Sequence, residues 1–308
     1  MRSSSHAGNG QDLSVNTENG RPDSHLRSGG NTLYIVGTGP GKAEHMSGRA
    51  RQVLEACDIV VGYKTYLELI KDVIKDKKRL TTGMTKEVDR VQAAIDAALD
   101  GHACALVSGG DAGIYAMAGL VLEMLAVKKI ACNTGEKDSL CVEVVPGIPA
   151  LAAGAALLGA PLTHDFATVS LSDLLTPWEI IEKRLDAAAS ADFVINIYNP
   201  KSKKRDWQLG QAMEIILRHR AGTTPVGIVT GAMRDNQKVA LCALKDLDKA
   251  DVGMQSIVIV GNSSTFIYND LMITPRGYSK KYAIGKKQET GNKKQEKYSD
   301  DAQILLDK

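Results

Sequence analysis

Three short apolar runs of this chain end in glycine, and no other feature constrains its fold as much. They read LYIVGTGPGK (residues 33–42), ALVSGGDAGIY (105–115) and VEVVPGIPALAAG (142–154). Each begins with β-branched and aliphatic residues and runs on into a stretch with helical spacing, so each reads as buried strand, glycine turn and helix. Repeats of that unit make α/β architecture, in which ligands sit beyond the carboxyl ends of the strands.

The rest of the chain fits the same rhythm. In the first half the pattern predicts strands at 33–36, 59–62, 103–108 and 142–145. Helices are predicted at 46–56, 65–74, 86–99 and 114–126, with the clearest spacing in Val88, Val91, Ile95 and Leu99. After GAPLTHD the pattern restarts, with strands at 166–171, 193–198, 226–230 and 256–261 and helices at 177–189 and 206–218. Pro177 suits the first turn of its helix, with Thr176 as cap. The expectation is two α/β domains, 32–161 and 162–278, between polar tails (1–31 and 279–308) whose composition reads as disordered.

Composition removes several classes of function. The formal charge of +2 comes from the last thirty residues; in the body of the chain acids slightly outnumber bases. That balance, with only 5% aromatic residues, excludes a nucleic-acid surface built on cations and stacked rings. Five scattered cysteines without a C-x-x-C pair argue against structural zinc, and no metal site is expected. They fit a reducing cytoplasm. No apolar run reaches the ~18 residues of a membrane span, and the N-terminus lacks a signal-like core, so no membrane partner is expected.

The glycine turns also exclude nucleotides of the commonest kinds. Gly37, Gly39 and Gly41 miss the spacing of the dinucleotide fingerprint, and the second strand ends in Tyr63 rather than in the acid that would hold a ribose. No Gly-Lys-Ser/Thr follows to make a phosphate loop. Asp111 in SGGDAGIY would repel phosphate; it suits a hydroxyl, a cation, or the cap of the next helix. A hydrolase triad of Ser108, His164 and Asp165 lacks the nucleophile elbow.

Taken with IYNPKSKKR (197–205) and GIVTGAMR (227–234), the three exits resemble the tetrapyrrole methylase family, the class III S-adenosylmethionine-dependent methyltransferases. The resemblance covers residues 32–277. GYKTYLELI (62–70) and the long HDFATVSLSDLLTPWEIIEKRL (164–185) are similar to the members that contract the macrocycle during cobalamin synthesis. The resemblance implies two α/β domains of the tetrapyrrole methylase type with an active-site cleft between them. It further implies methylation at C17 of precorrin-3B or cobalt-factor III, and a homodimer. S-adenosyl-L-methionine would be held by Pro40, Gly109, Gly110, Asp111, Ile114, Pro149 and Ala150, and by Tyr198, Asn199, Ala232 and Met233.

An acidic macrocycle calls for cations at the strand exits. The expected substrate residues are Gly39, Gly41, Lys42, His45, Tyr63, Lys64, Met84 and Lys201, with Arg49, Lys203, Lys204 and Arg205 as further candidates. Ring contraction would use proton donors, and His164, Asp165, Ser172 and Asp173 are the catalytic candidates. Competing readings are a family member with another acceptor, a non-catalytic corrinoid or S-adenosylmethionine binder, and a nicotinamide-dependent oxidoreductase.

Overall fold

The computed structural model describes residues 31–83, 86–136, 139–202 and 205–282. The expected tails, apart from residue 31 and residues 279–282, and also Met84, Lys203 and Lys204, lie outside the described residues. The chain forms two compact units. The first holds residues up to Ala153 together with Gly231–Asp235; the second holds Gly154–Thr230 and the residues from Asn236 onward. The division thus falls inside a helix rather than near residue 161, and a five-residue segment returns to the first unit.

In the first unit the order is β1 (Thr32–Gly37), α1 (Gly48–Ala56), β2 (Ile59–Tyr63), α2 (Lys64–Leu69), β3 (Lys78–Thr82), α3 (Glu87–Leu99), β4 (Ala103–Ser108), α4 (Met117–Val127) and β5 (Cys141–Val145). The helix α5 (Ala150–Leu158) leads out of it. The five strands make one sheet in the order β3-β2-β4-β1-β5, every pairing parallel. Continuous apolar runs are what a parallel sheet covered on both faces requires. Accordingly, Leu33, Ile35, Val61 and Leu106 pack on one side, and Val36, Val60, Ala105 and Val107 on the other.

Two expectations shift. The buried stripe of α3 is Arg90, Val91, Ala94, Ile95, Ala97 and Ala98, while Val88 and Leu99 face solvent. The edge strand β3 (KRLTT) escaped the sequence reading because it carries little apolar signal.

The second unit contains β6 (Gly159–Ala160), β7 (Phe166–Ser170), α6 (Trp178–Ser190), β8 (Val194–Tyr198), α7 (Gln208–Leu217), β9 (Pro225–Thr230), β10 (Lys238–Ala243), β11 (Ser256–Val260), β12 (Phe266–Tyr268), β13 (Leu271–Ile273) and α8 (Tyr278–Lys281). Its main sheet runs β10-β9-β11-β8-β7, parallel only between β7 and β8. Its core joins Val169, Leu185, Ile197, Ile216, Ile228 and Val258. Pro177 is the N-cap of α6 rather than a residue of its first turn, and no side chain caps that end. No helix among the described residues is long and apolar enough to cross a membrane.

Candidate functional site

The strand order of the first sheet explains the glycines. Because β1 lies between β4 and β5, the exits of all three leave the same edge side by side, about 5 Å apart. Thr38 donates its N–H and its hydroxyl to the Ser108 carbonyl, at 2.9 and 3.0 Å. Gly39 and Gly110, both with positive φ, exchange N–H···O bonds of 3.0 and 2.7 Å. A methyl group on Gly147 would stand 2.2 Å from the Gly110 carbonyl oxygen, and one on Gly37 would stand 2.7 Å from that same oxygen and from the Gly147 nitrogen. At these two positions the object approaching the backbone is the neighbouring loop.

Asp111 has a related task. One carboxylate oxygen accepts the Gly113 N–H at 2.8 Å and the other accepts the Gly147 N–H at 3.0 Å. It clamps the β4 exit to the β5 exit. It does not cap α4, which begins six residues later at Met117 behind the N-cap Ala116.

The returning segment closes on the β1 exit. The Met233 carbonyl, in a residue with φ 58°, accepts the Lys42 N–H at 3.3 Å, and Arg234 Nε donates to the Pro40 carbonyl at 2.8 Å. Gly110 faces Ile148, Pro149 and Ala150, where a methyl group would meet nothing nearer than 3.7 Å. Of the expected cofactor residues, Pro40, Gly109, Gly110, Asp111, Pro149, Ala150 and Met233 therefore gather at one edge of the first unit, with Ala232 and Ile114 on the same segments. Gly109 is covered on one side, where the Tyr66 ring lies 2.7 Å from the place a methyl group would take. The Ser108 hydroxyl is buried, and no described residue hydrogen-bonds it as an activating base would.

Several expected cations are already engaged. Arg49 makes a bidentate pair with Glu143, at 2.8 and 2.6 Å, and that bond holds its guanidinium above the ordinary value. Lys42 pairs with Asp235 at 3.2 Å, and His45 stands 4.0 Å from Glu44. Lys64 opens α2 and has no ion pair among the described residues. Tyr63 meets Tyr66 edge to face, with centroids 5.7 Å apart. Gly41 leaves no room for a side chain, since a methyl group would stand 2.1 Å from the Met233 carbonyl oxygen.

The second unit separates the four catalytic candidates into two places. Ser172 and Asp173 follow the carboxyl end of β7, beside Tyr198 and Asn199 at the end of β8. There the Tyr198 carbonyl accepts the Leu171 N–H at 3.0 Å, and Asn199, at φ 51°, donates through its side chain to the Ser170 hydroxyl at 2.9 Å. The Ser172 N–H bonds the same hydroxyl at 3.2 Å, and Asp173 accepts from Gln208 Nε2 at 2.9 Å. Arg205 donates to the Asn199 carbonyl at 3.0 Å; burial lowers its pKa while the charge of Asp173 raises it. Lys201 lies in this loop, half-buried.

His164 and Asp165 precede β7 and so stand at its opposite end, about 16 Å away at 3.3 Å per residue. His164 Nδ1 accepts the Asp165 N–H at 2.8 Å, and both residues line a cavity of about 420 Å³ with Asp192, Ser263 and Arg276. Burial works against the Asp192 carboxylate, yet the Ser263 hydroxyl and N–H, with Arg220, hold it below the usual range. The four candidates do not form one catalytic constellation, because a strand lies between the two pairs.

A parallel sheet whose neighbouring exits form one glycine-lined edge matches a known group of proteins. The sequence pattern of the tetrapyrrole (corrin/porphyrin) methylases fits residues 32–248. The chain belongs to that family. Its methyltransferase class and α/β fold, expected from the sequence, are borne out. Among relatives, it is 50% identical to a cobalt-factor III methyltransferase of Priestia megaterium over 82% of this chain, although it spans only 46% of that longer protein. It is 49% identical to a probable cobalt-factor III C(17)-methyltransferase of Salmonella typhimurium, over 80% of this chain and 99% of the other. A precorrin-3B C(17)-methyltransferase of Sinorhizobium is 40% identical over 80% of this chain and 97% of its own length. The crystal structure of the methyltransferase CobJ superposes with a TM-score of 0.72 at 32% identity, covering 80% of this chain and all of that one.

Three residues at this edge of the tetrapyrrole methylase were not anticipated: Tyr66, Arg90 and Arg234. Arg90 lies within an otherwise apolar helical stripe, a signal that the sequence does carry. Arg234 closes the GIVTGAMR segment but touches the β1 exit only through tertiary folding. Cys57 and Cys104 are buried, and burial pushes their thiols up to about 11 and about 12, so they act as small apolar side chains.

Proposed function

We propose that this chain is the S-adenosylmethionine-dependent C-methyltransferase of cobalamin biosynthesis that acts at C17 of cobalt-factor III, with contraction of the macrocycle. The observation that carries the reading is the shared edge of β4, β1 and β5, where backbone and small residues replace the lysine and phosphate cradle of nucleotide enzymes. The names of the Priestia and Salmonella relatives support the cobalt-bearing acceptor over precorrin-3B.

The residues present fit the cofactor. In the first unit Pro40, Gly109, Gly110, Asp111, Ile114, Pro149, Ala150, Ala232 and Met233 would hold it. A nucleoside needs close backbone approach, which Gly110 permits beside Pro149 and Ala150. When bound, S-adenosylmethionine supplies an electrophilic methyl group on a sulfonium. The protein aligns the acceptor carbon and excludes water, and alignment alone lowers such barriers by about 7–11 kcal/mol. Of the four proton-donor candidates, Ser172 and Asp173 are assigned the ring-contraction role, since they stand beside Asn199 and Lys201. His164 and Asp165 are not assigned it.

Incubating the purified protein with cobalt-factor III and S-adenosylmethionine is expected to release S-adenosylhomocysteine and yield a ring-contracted cobalt tetrapyrrole that carries one further methyl group at the oxidation level of the substrate, read by mass spectrometry. Turnover of precorrin-3B alone would reverse the choice of acceptor. Binding of S-adenosylhomocysteine without turnover of any tetrapyrrole would favour the non-catalytic module instead.

The proposal includes a homodimer in a reducing cytoplasm, in keeping with five free cysteines. The hairpin of β12 and β13 exposes Phe266, Ile267, Tyr268 and Leu271 at a sheet edge, an apolar surface of the kind that self-association covers. Sedimentation at twice the chain mass is expected; a monomer at micromolar concentration would remove this part.

A further inference from the structure

Two guanidinium groups stand at the carboxyl edge of the parallel sheet without a carboxylate partner among the described residues. Arg90 is 5% exposed. Its Nε donates to the Thr82 hydroxyl and its Nη2 to the Gly83 carbonyl, both at 2.8 Å, while among the described residues Nη1 has only the Met117 sulfur at 3.9 Å. The guanidinium carbon lies 6.0 Å from the centre of the Tyr63 ring. Arg234 uses Nε on the Pro40 carbonyl, and neither of its terminal nitrogens has a hydrogen bond or ion pair among the described residues. Burial pushes its pKa down, and Tyr66 acts weakly in the opposite direction.

The contrast lies within the same protein. Arg49 is paired with Glu143 at 2.6 Å and Arg220, which is buried, with Asp192 at 2.7 Å. A desolvated cation costs several kcal/mol unless an anion meets it, and neutral carbonyls, a hydroxyl and a thioether offset that only in part. Each guanidinium keeps N–H groups free for the bidentate geometry that carboxylates accept. From Arg90 the T-shaped Tyr63–Tyr66 pair leads to the flank of Gly109 in the β4 exit, and Gly109 neighbours the Gly110 that bonds the β1 exit, where Arg234 sits on the Pro40 carbonyl.

We propose that Arg90, beside the Tyr63 ring, and Arg234, on the Pro40 carbonyl of the β1 exit, are carboxylate receptors that anchor the acidic ligand of this edge. The inference rests on the function proposed above. The carboxylate has two sources, the acid arms of the macrocycle or the amino-acid end of the methyl donor, and the experiment separates them.

Four variants, R90M, R90K, R234M and R234K, are compared with the wild type by thermal melting and by three equilibrium titrations. The titrants are cobalt-factor III followed by absorbance, and S-adenosylhomocysteine and 5′-methylthioadenosine by calorimetry. The expected result is a rise of at least about tenfold in Kd for cobalt-factor III in the methionine variants, with both nucleosides unchanged. The lysine variants fall between, because they keep the charge and lose the fork. A tenfold loss for S-adenosylhomocysteine with none for 5′-methylthioadenosine, which lacks the carboxylate, also supports the receptors and assigns them to the cofactor.

Unchanged titrations in variants that melt with the wild type overturn the proposal, as does an equal loss for both nucleosides. Should R90M not fold, R90K and the Arg234 pair decide by the same readings. A wild type that binds these ligands but shows no turnover would defeat the proposed function and leave the arginine test standing, because none of its readings needs catalysis.

Discussion

Replacing Gly147 with alanine lowers the melting temperature by about 10 °C. The added carbon would stand 2.2 Å from the Gly110 carbonyl oxygen and 2.7 Å from the carbonyl carbon and oxygen of Gly37. All three contacts are backbone: Gly37 ends β1, paired with β4 and β5 in the sheet, and Gly110 lies in the exit of β4, hydrogen-bonded to Gly39. None yields as a flexible side-chain end would. Overpacking of this kind costs about 3 kcal/mol, and at about 2–4 °C per kcal/mol the fall follows. Gly119, in the interior of α4, is the control. A methyl group there meets nothing within 4 Å, so G119A is expected to gain up to about 1 kcal/mol from helix propensity. Scanning fluorimetry reads both; a G147A protein melting within 2 °C of the wild type would mean that the three loops do not touch.

Asp111→Asn loosens the β5 exit and weakens S-adenosylhomocysteine binding at least tenfold. Two separate carboxylate oxygens accept two backbone N–H groups, Gly113 and Gly147. Asparagine keeps one acceptor and turns an NH₂ group toward the other N–H, which leaves a donor unpaired at a cost of about 1–3 kcal/mol. Pro149 and Ala150 lie just beyond Gly147, so the lost bond acts on residues assigned to the cofactor. Melting and calorimetry together discriminate two roles. A clamp loses stability and affinity together. An aspartate that touches the ligand, as the sequence reading expected, would lose affinity alone.

Most of the strands were legible because apolar β-branched runs are a local property: β4 was expected at 103–108, and the observed strand is Ala103–Ser108. β3, β10 and the β12–β13 hairpin were not: KRLTT carries little apolar signal, whereas KVALCA and the three-residue strands FIY and LMI are apolar but lie outside the strand–glycine–helix rhythm that guided the expectation. The face of α3 was misjudged for a similar reason. Val88 and Leu99 fit the helical period, yet the chain buries Arg90 and its alanines instead, and only the neighbouring strands decide which stripe that is.

The candidate site divides in the same way. Glycine after a strand, an acid where a phosphate would need a base, and motifs similar to tetrapyrrole methylases could all be read from residue order. Residue order does not tell which strand neighbours which. The order β4-β1-β5 brings three glycine exits onto one edge, supplies Asp111 with the Gly147 N–H, and turns Arg49 toward Glu143. It also leaves two arginines there without an ion pair among the described residues, while the length of β7 removes His164 from Ser172. Local propensity is written in neighbouring residues and so belongs to the sequence; pairing between segments a hundred residues apart is decided by which surfaces bury each other, and that exists only in the folded protein.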